Sequence, residues 1–264
     1  MSKSISWEKI FSDYSILKHD FMNSPFLITA EMIKKSVQHL KRTSEKEVRI
    51  LCKIDNREGL PDIMRKNNLF ILPIRNGTYI ILKGEGFIDI PEISSDPIDY
   101  LSKINFELKS STVGNSEMQH LDYCFAISMI KTFCNDESLV LTIRGRKYTP
   151  NFKFLIGNHE IEVQGVQTEV DAGYEGKDKI VLIEAKNSKT NNLSIRQLYY
   201  PFRQWEINTK KKVNLIFFEK RDKLYNFWEY SFVDSNNFNS LKLINAKRYI
   251  VKPVINIDFT TKQM

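Results

Sequence analysis

The chain has 264 residues, a formal net charge of +7 and 42% hydrophobic residues. This composition predicts a globular protein with a real hydrophobic core and excludes a disordered chain. Its apolar runs are much shorter than the roughly 18–20 residues that a membrane helix needs, so we expect no membrane partner. The three cysteines are widely spaced without a CxxC motif, and the first residues contain no apolar signal segment. Both features predict a reduced, cytoplasmic protein.

The first half of the chain has the pattern of helices followed by a hairpin. The spacing of apolar residues and one proline predict three helices, over residues 30–43, 45–54 and 61–67. Two apolar runs then flank Asn76-Gly77, and Asn-Gly between such runs is a strong hairpin signal. This order is compatible with a winged-helix-like domain and with a plain α+β domain.

Residues 93–116 are rich in Ser, Asn, Pro and Asp and predict a connection between two domains, over 1–112 and 113–264. A helix is expected over 117–133, capped by Ser116. Strands are expected after it, over 139–144, 152–156, 160–174, 179–187, 213–219 and 224–233, with a helix over 193–205 that Pro201 kinks or ends. The predicted fold class is α/β, with a mixed central sheet flanked by helices and an N-terminal α+β domain.

The strand over 179–187 carries an unusual pair of charges. Side chains alternate across a strand, so Val181, Ile183 and Ala185 form one uniformly apolar face. Glu184 and Lys186 emerge together from the other face, at the end of an otherwise apolar strand. Burying a carboxylate and an ammonium group is costly unless they are paired or bind a metal ion.

The preceding strand brings two further carboxylates to the same place. A tight turn around residues 176–179 puts Asp171 opposite Glu184 and Glu169 opposite Lys186, with Cβ atoms about 4.5–5.5 Å apart. Opposed carboxylates repel unless a cation lies between them, and oxygen ligands with room for water suit Mg²⁺. A nearby lysine can orient water and stabilise charge on a phosphate. These groups are the equipment of metal-assisted phosphodiester hydrolysis.

This pattern resembles the PD-(D/E)xK nuclease superfamily. Asp171 is followed thirteen positions later by Glu184-Ala185-Lys186, which an apolar strand leads into. Val170 stands where the family has a proline before the aspartate. Residues 194–203 are similar to the helix that follows the core in type II restriction endonucleases.

The resemblance implies a restriction-endonuclease-like core over 113–264 and a DNA-recognition domain over 1–112. The implied activity is that of a restriction-modification system, namely Mg²⁺-dependent cleavage of double-stranded DNA at a short specific sequence, leaving 5′-phosphate ends. By transfer, Asp171 and Glu184 ligate Mg²⁺, Lys186 acts on the attacking water, and Glu117 in the preceding helix is a further ligand. Many type II enzymes act as a homodimer, which this resemblance allows. No Gly-rich phosphate loop is present, so no nucleotide cofactor is expected.

Several other residues are candidates for supporting roles. Glu169 is either a supporting carboxylate or a solvent-facing partner of Lys186, and Gln197 either acts near the scissile phosphate or is ordinary surface. Asp55 and Arg57 are candidates for reading base edges. Six basic residues are candidates for DNA contacts, although each is also compatible with solvated surface: Arg49, Lys53, Arg57, Arg144, Arg146 and Lys147. The basic excess of the chain is predicted to line the cleft around the acidic site.

Three other interpretations stay open at this point. A repair or junction nuclease on the same core would recognise DNA structure and not sequence. A DNA-binding regulator would bind without cleaving. In the simplest case, Asp171, Glu184 and Lys186 form only a structural salt-bridge network on a sheet face.

Overall fold

The computed structural model describes residues 2–252. Its α-helices are α1 (Ser2–Asp13), α2 (Ala30–Val37), α3 (Thr43–Lys46), α4 (Val48–Cys52), α5 (Asp62–Lys66), α6 (Glu117–Ala126), α7 (Met129–Cys134) and α8 (Ile195–Asn208). None of these helices combines the length and the apolar character that a bilayer crossing requires. The end of the predicted second domain, residues 253–264, lies outside the described residues.

The strands of the same part of the chain are β1 (Phe26–Thr29), β2 (Leu69–Arg75), β3 (Thr78–Lys83), β4 (Phe87–Asp89), β5 (Ile98–Leu101), β6 (Val140–Tyr148), β7 (Phe152–Ile156), β8 (His159–Val163), β9 (Gln167–Glu175), β10 (Lys179–Lys186), β11 (Asn192–Ser194), β12 (Lys212–Arg221), β13 (Leu224–Phe232) and β14 (Leu241–Lys252). Seven of them form the main sheet, in the order β5-β14-β13-β12-β10-β9-β6. This sheet is mixed, because β10 with β12 and β14 with β5 are parallel while the other pairs are antiparallel. The α/β class with a large mixed sheet flanked by helices is therefore confirmed.

The two faces of β10 pack into different hydrophobic clusters. Val181, Ile183 and Ala185 are buried on the face covered by α6 and α7. Ile180 and Leu182 are buried on the opposite face, which α8 covers. Each buried Val, Ile or Leu side chain of this strand stabilises the fold by about 1.5–3 kcal/mol. The predicted alternation is confirmed, and it assigns Glu184 and Lys186 to the face that carries α8.

The N-terminal elements share that second cluster. Trp7 of α1, Leu51 of α4 and Ile81 of β3 belong to the same buried cluster as Tyr199 of α8 and Phe217 of β12. Polar contacts add to the apolar ones, since β4 pairs with β11 and the backbone N–H of residue 57 donates to the Asn192 side chain at 2.6 Å. The N-terminal elements are thus packed directly on the main sheet, on the face that carries α8.

The predicted Asn-Gly hairpin is confirmed. β2 and β3 pair in antiparallel fashion around it, and Gly77 has a φ of +70°, which glycine adopts without strain. Together with β1 they form a small antiparallel sheet of order β1-β3-β2.

Other predicted elements differ from the structure in instructive ways. The helix expected over 117–133 is broken between α6 and α7, where Ser128 has a φ of +66°. The strand expected over 160–174 is divided at Gly165, whose φ is +64°. The helix containing Pro201 continues through it to Asn208. The supposed connection over 93–116 contains β5, which pairs with β14 at the edge of the main sheet. Local composition cannot reveal that pairing, because the partner strand lies far along the chain.

Candidate active-site cleft

The β9–β10 hairpin brings Asp171 next to Glu184. The ladder pairs Leu182 with Gly173 and Ile183 with Ala172, which is the predicted register. It ends there, and Asp171 Oδ2 instead accepts a hydrogen bond from the backbone N–H of Ala185 at 2.7 Å. The carboxylate therefore takes the place of a ladder bond at the point where the strands separate. This bond fixes the orientation of the Asp171 side chain.

Glu184 lies at the centre of a hydrogen-bonded group. Its Oε1 accepts from Lys186 Nζ and from Gln197 Nε2, each at 2.5 Å. Lys186 also donates to the carbonyl of Ala185 at 2.9 Å. Only 11% of the Glu184 side chain and 24% of the Lys186 side chain are exposed. Charge-assisted hydrogen bonds in such a partly buried site hold the Glu184 and Lys186 side chains in one geometry.

Helix α8 delivers Gln197 to this group. The helix begins against the N-terminal part of the chain, where the N–H of Ser194 donates to the Asp55 carbonyl at 2.9 Å. One turn later Gln197 reaches Glu184, while its own carbonyl oxygen is buried without a hydrogen-bond partner in the described part of the chain. A buried acceptor without a hydrogen bond lowers the stability of the fold by about 1–3 kcal/mol. A ligand that donates a hydrogen bond to this oxygen would recover that stability.

Burial raises the pKa of the carboxyl groups of the site. Burial raises the pKa of Glu184 to about 7, and the negative charge of Asp171 adds to this although Lys186 opposes it. Burial also raises the pKa of Asp171, against the hydrogen bond from Ala185. The pKa of Glu117 is raised by burial and by Asp171. Burial alone would lower the pKa of Lys186, but Glu184 outweighs it and the pKa is raised. A cation would relieve the strain on all three carboxylates.

These groups open into one cleft of about 570 Å³. Its charged lining comes from both halves of the chain and consists of Arg49, Lys53, Asp55, Arg75, Glu117, Glu169, Asp171, Glu184, Lys186 and Arg196. Five of these side chains are basic and five are acidic, so the lining is formally neutral. The prediction that the basic excess lines the cleft is therefore wrong. The excess lies elsewhere on the protein, and a bound divalent cation would make the cleft positive.

Most predicted site residues are brought together, but four are not. Asp171, Glu184, Lys186, Glu117, Glu169, Gln197, Arg49 and Lys53 all line the cleft. Arg57, Arg144, Arg146 and Lys147 are not part of its lining.

The four outlying residues have structural reasons for their positions. Arg57 lies beyond α4, which ends at Cys52, and its guanidinium bonds to Asp89 at 2.6 Å. Arg144 forms an ion pair with Asp122. Lys147 is exposed on β6, the edge strand of the sheet.

The predicted pairing of Glu169 with Lys186 is wrong. Glu169 lies opposite Arg146 on β6, and its carboxylate is 3.4 Å from the Arg146 side chain. Lys186 bonds to Glu184 instead. The reason is that β9 has two neighbours: its β10 ladder ends at Ala172, whereas its β6 ladder runs on to Gln167.

Sequence reasoning missed two arginines of the cleft. Arg75 stands at the end of β2 beside the Asn-Gly turn, and Arg196 directly precedes Gln197 in α8. Arg196 is next to the predicted site residue Gln197 in the sequence, and this position was the one weak indication of its role. The sequence contains no such indication for Arg75, because only the tertiary fold brings the tip of the β2–β3 hairpin into the same cleft as the carboxylates. Asp55, proposed above to read base edges, lines the same cleft and adds to the raised pKa of Glu184.

The donor set fits Mg²⁺ with Asp171 and Glu184 as ligands. Within residues 2–252 no group of three or more His, Cys, Asp and Glu side chains has the arrangement of a metal site. Glu117 is therefore not grouped with the other two carboxylates. Mg²⁺, however, needs only one or two carboxylates, together with water and substrate oxygens. In this part of the chain Asp171 Oδ1 and Glu184 Oε2 receive no hydrogen bond, so each has an oxygen available.

Comparison with protein families places this cleft across two matched regions. A family model described as a domain of unknown function, DUF6997, matches residues 82–250. The chain belongs to the DUF6997 family. A second model, the domain of unknown function DUF6996, matches residues 4–81. No curated protein and no solved structure matches the chain significantly. The two regions meet within β3, and the cleft takes its carboxylate pair from the DUF6997 region and Arg49, Lys53 and Arg75 from the DUF6996 region.

Proposed function

We propose that this protein is a Mg²⁺-dependent deoxyribonuclease of the PD-(D/E)xK type that cleaves double-stranded DNA at a short specific sequence, as type II restriction endonucleases do. The observation that carries the proposal is the convergence of Asp171, Glu184 and Lys186 at the mouth of one cleft, with Gln197 bonded to Glu184. Beyond the ion pair of Glu184 with Lys186, Asp171 Oδ1 and Glu184 Oε2 receive no hydrogen bond in the described part of the chain, which favours metal ligands over a purely structural salt-bridge network. Burial also raises the pKa of both carboxyl groups, as is common at functional sites.

The order of elements around the cleft supports a restriction-endonuclease-like core. Helix α6 precedes the sheet, the β9–β10 hairpin carries the charged motif, and α8 follows and packs against β12. In the N-terminal part, helices and a three-stranded antiparallel sheet support a winged-helix-like recognition domain. The dense apolar contacts between the two parts favour a recognition element held rigidly against the cleft.

The residues of the cleft divide the work of hydrolysis. Asp171 and Glu184 would hold the metal ion, which when bound would polarise the phosphate and lower the pKa of a water molecule. Lys186, held against Glu184, would orient the attacking water and oppose the negative charge that develops on phosphorus oxygens. Gln197 would keep Glu184 in place through its amide N–H, while its own side-chain carbonyl oxygen is buried and has no hydrogen-bond partner in the described part of the chain.

Incubation with unmodified phage DNA and Mg²⁺, followed by run-off sequencing of the ends, tests this function. We expect discrete fragments with 5′-phosphate ends. Lys186→Ala and Asp171→Ala should each lower the cleavage rate by about 10²–10³-fold, since each removes an electrostatic contribution to the transition state. Lys177→Ala and Asp178→Ala, at the exposed turn of the same hairpin, are matched controls and should cut like the wild type.

Three results would overturn the restriction assignment. Cleavage of branched DNA alone would make the protein a structure-specific nuclease on the same core. A gel shift with no Mg²⁺-dependent nicking, or full cleavage by Lys186→Ala, would remove the nuclease activity assigned to this cleft.

A further inference from the structure

Three arginines in the cleft differ from every other arginine of the chain. The sequence contains eleven arginines, all within the described residues. Eight of them hydrogen-bond or form ion pairs through their side chains, namely Arg42, Arg57, Arg65, Arg144, Arg146, Arg203, Arg221 and Arg248. Within residues 2–252 the side chains of the remaining three, Arg49, Arg75 and Arg196, form no hydrogen bond and no ion pair, and all three residues line the cleft.

The absence of a partner is informative because carboxylates are close at hand. Within the same cleft Asp55 pairs with Lys53, Glu184 pairs with Lys186, and Glu169 pairs with Arg146 just outside it. Three of the five carboxylates that line the cleft are thus paired with other cations, and Asp171 is held by the backbone N–H of Ala185. A guanidinium cannot lose its charge, and its planar set of five N–H donors matches carboxylates and phosphates. Because no side chain in the described part of the chain pairs with these three guanidinium groups, the phosphate of a bound ligand is a complementary partner for them.

We propose that Arg49, Arg75 and Arg196 form a phosphate-binding wall that holds the phosphodiester backbone of the substrate against the carboxylates. The proposal rests on the nuclease function above and adds the residues that place its substrate. Arg49 comes from α4, Arg75 from the end of β2 and Arg196 from the first turn of α8. Two of the three lie in the DUF6996 region. That region therefore completes the substrate site, and is more than an attached sequence reader.

The test measures DNA affinity against salt, because each phosphate contact releases counterions. Full-length Lys186→Ala protein would be titrated onto a fluorescent DNA duplex between 50 and 300 mM KCl, with Arg49→Gln, Arg75→Gln or Arg196→Gln added. Each contact contributes about −0.9 to the slope of log affinity against log salt. We expect the slope of each glutamine variant to be shallower by about 0.9, and its DNA affinity to be several-fold weaker. Arg42→Gln, which lies on the N-terminal part but outside the cleft, is the matched control and should leave the slope unchanged.

A second series separates charge from folding. Arg49→Lys, Arg75→Lys and Arg196→Lys keep the positive charge and should restore most of the slope, whereas a folding defect would not be repaired in this way. The proposal would be wrong if the salt slopes of Arg49→Gln, Arg75→Gln and Arg196→Gln all equalled the slope of Arg42→Gln.

The readout also distinguishes the wall from the proposed activity. If the wild type never cuts DNA but the glutamine variants lose slope, the nuclease function fails and the wall stands. If the wild type cuts and the slopes do not change, the wall alone fails. If the wild type does not bind the duplex at 50 mM KCl, both are refuted.

Discussion

The charged side chains on the two walls of the cleft differ in their burial and in their hydrogen bonding. On the carboxylate wall, Asp171, Glu184 and Lys186 are half-buried and bound to named neighbours, with contacts of 2.5–2.7 Å. On the arginine wall, the side chains of Arg49, Arg75 and Arg196 make no hydrogen bond or ion pair in the described part of the chain, and those of Arg49 and Arg75 are exposed. Preorganised groups suit a reaction step, because they need no rearrangement in the transition state. Exposed cations suit capture of a polyanion, because their partner arrives with the substrate.

The largest expected effect separates chemistry from binding. Lys186→Met should lower the single-turnover cleavage rate at saturating DNA by about 10²–10³-fold, while DNA affinity falls by no more than about fivefold. Arg75→Gln should do the reverse, with weaker binding and a nearly normal rate at saturating DNA. Rate and affinity measured on the same duplex check both variants, and Lys177→Met serves as the control. If Arg75→Gln lost as much cleavage rate at saturating DNA as Lys186→Met, the assignment of Lys186 to chemistry and of Arg75 to binding would be wrong.

The second effect concerns stability and its dependence on pH. The pKa of Glu184 is raised to about 7, above the usual value of a free carboxyl group. A raised carboxyl pKa means that ionisation costs stability as the pH rises from the unfolded pKa to the folded one. Glu184→Gln should therefore stabilise the metal-free protein by about 2 kcal/mol above pH 7. The gain should shrink toward pH 4.5.

Thermal unfolding in chelator at several pH values measures this gain. A shift in melting temperature of several degrees corresponds to about 2 kcal/mol for a chain of this size. Glu160→Gln, on the exposed β7–β8 hairpin, is a matched control. An equal gain at pH 4.5 and pH 8 would show that the carboxyl group is not strained by burial.

The third effect tests the formally neutral lining of the cleft. Removing one negative charge from it should let DNA bind more tightly without metal. We expect Asp171→Asn to raise metal-free DNA affinity about fivefold, which corresponds to about 1 kcal/mol of relieved repulsion. Fluorescence anisotropy in chelator measures the change, with Asp178→Asn as control. Weaker binding by Asp171→Asn would contradict this account.

The smallest effect concerns Arg57, which the structure assigns to a contact between elements. Its bonds to Asp89 and Glu85 are partly exposed, so Arg57→Ala should lower stability by only about 0.5 kcal/mol. DNA affinity and its salt slope should not change. A loss of salt slope like that of the cleft arginines would return Arg57 to the DNA-contacting group.

Much of the carboxylate wall could be predicted because it is local. Asp171, Glu184 and Lys186 lie on one tight hairpin, and the alternation of apolar residues along β10 sets which face is buried. The Asn-Gly turn between β2 and β3 is likewise a short-range signal. The partner of Glu169 was not predictable in the same way, because it depends on how far each of two neighbouring ladders extends.

By itself, the sequence determined the α/β class, the register of the β9–β10 hairpin and the charged motif at its end. Tertiary structure alone decided that β5 joins the main sheet, that the N-terminal elements share its core, and that Arg75 and Arg196 line the same cleft as the carboxylates. The physical reason is the range of the forces involved. Side-chain alternation and turn conformation act between near neighbours along the chain. The arginine wall exists only because a buried apolar cluster brings α4, β2 and α8 to one side of the same sheet.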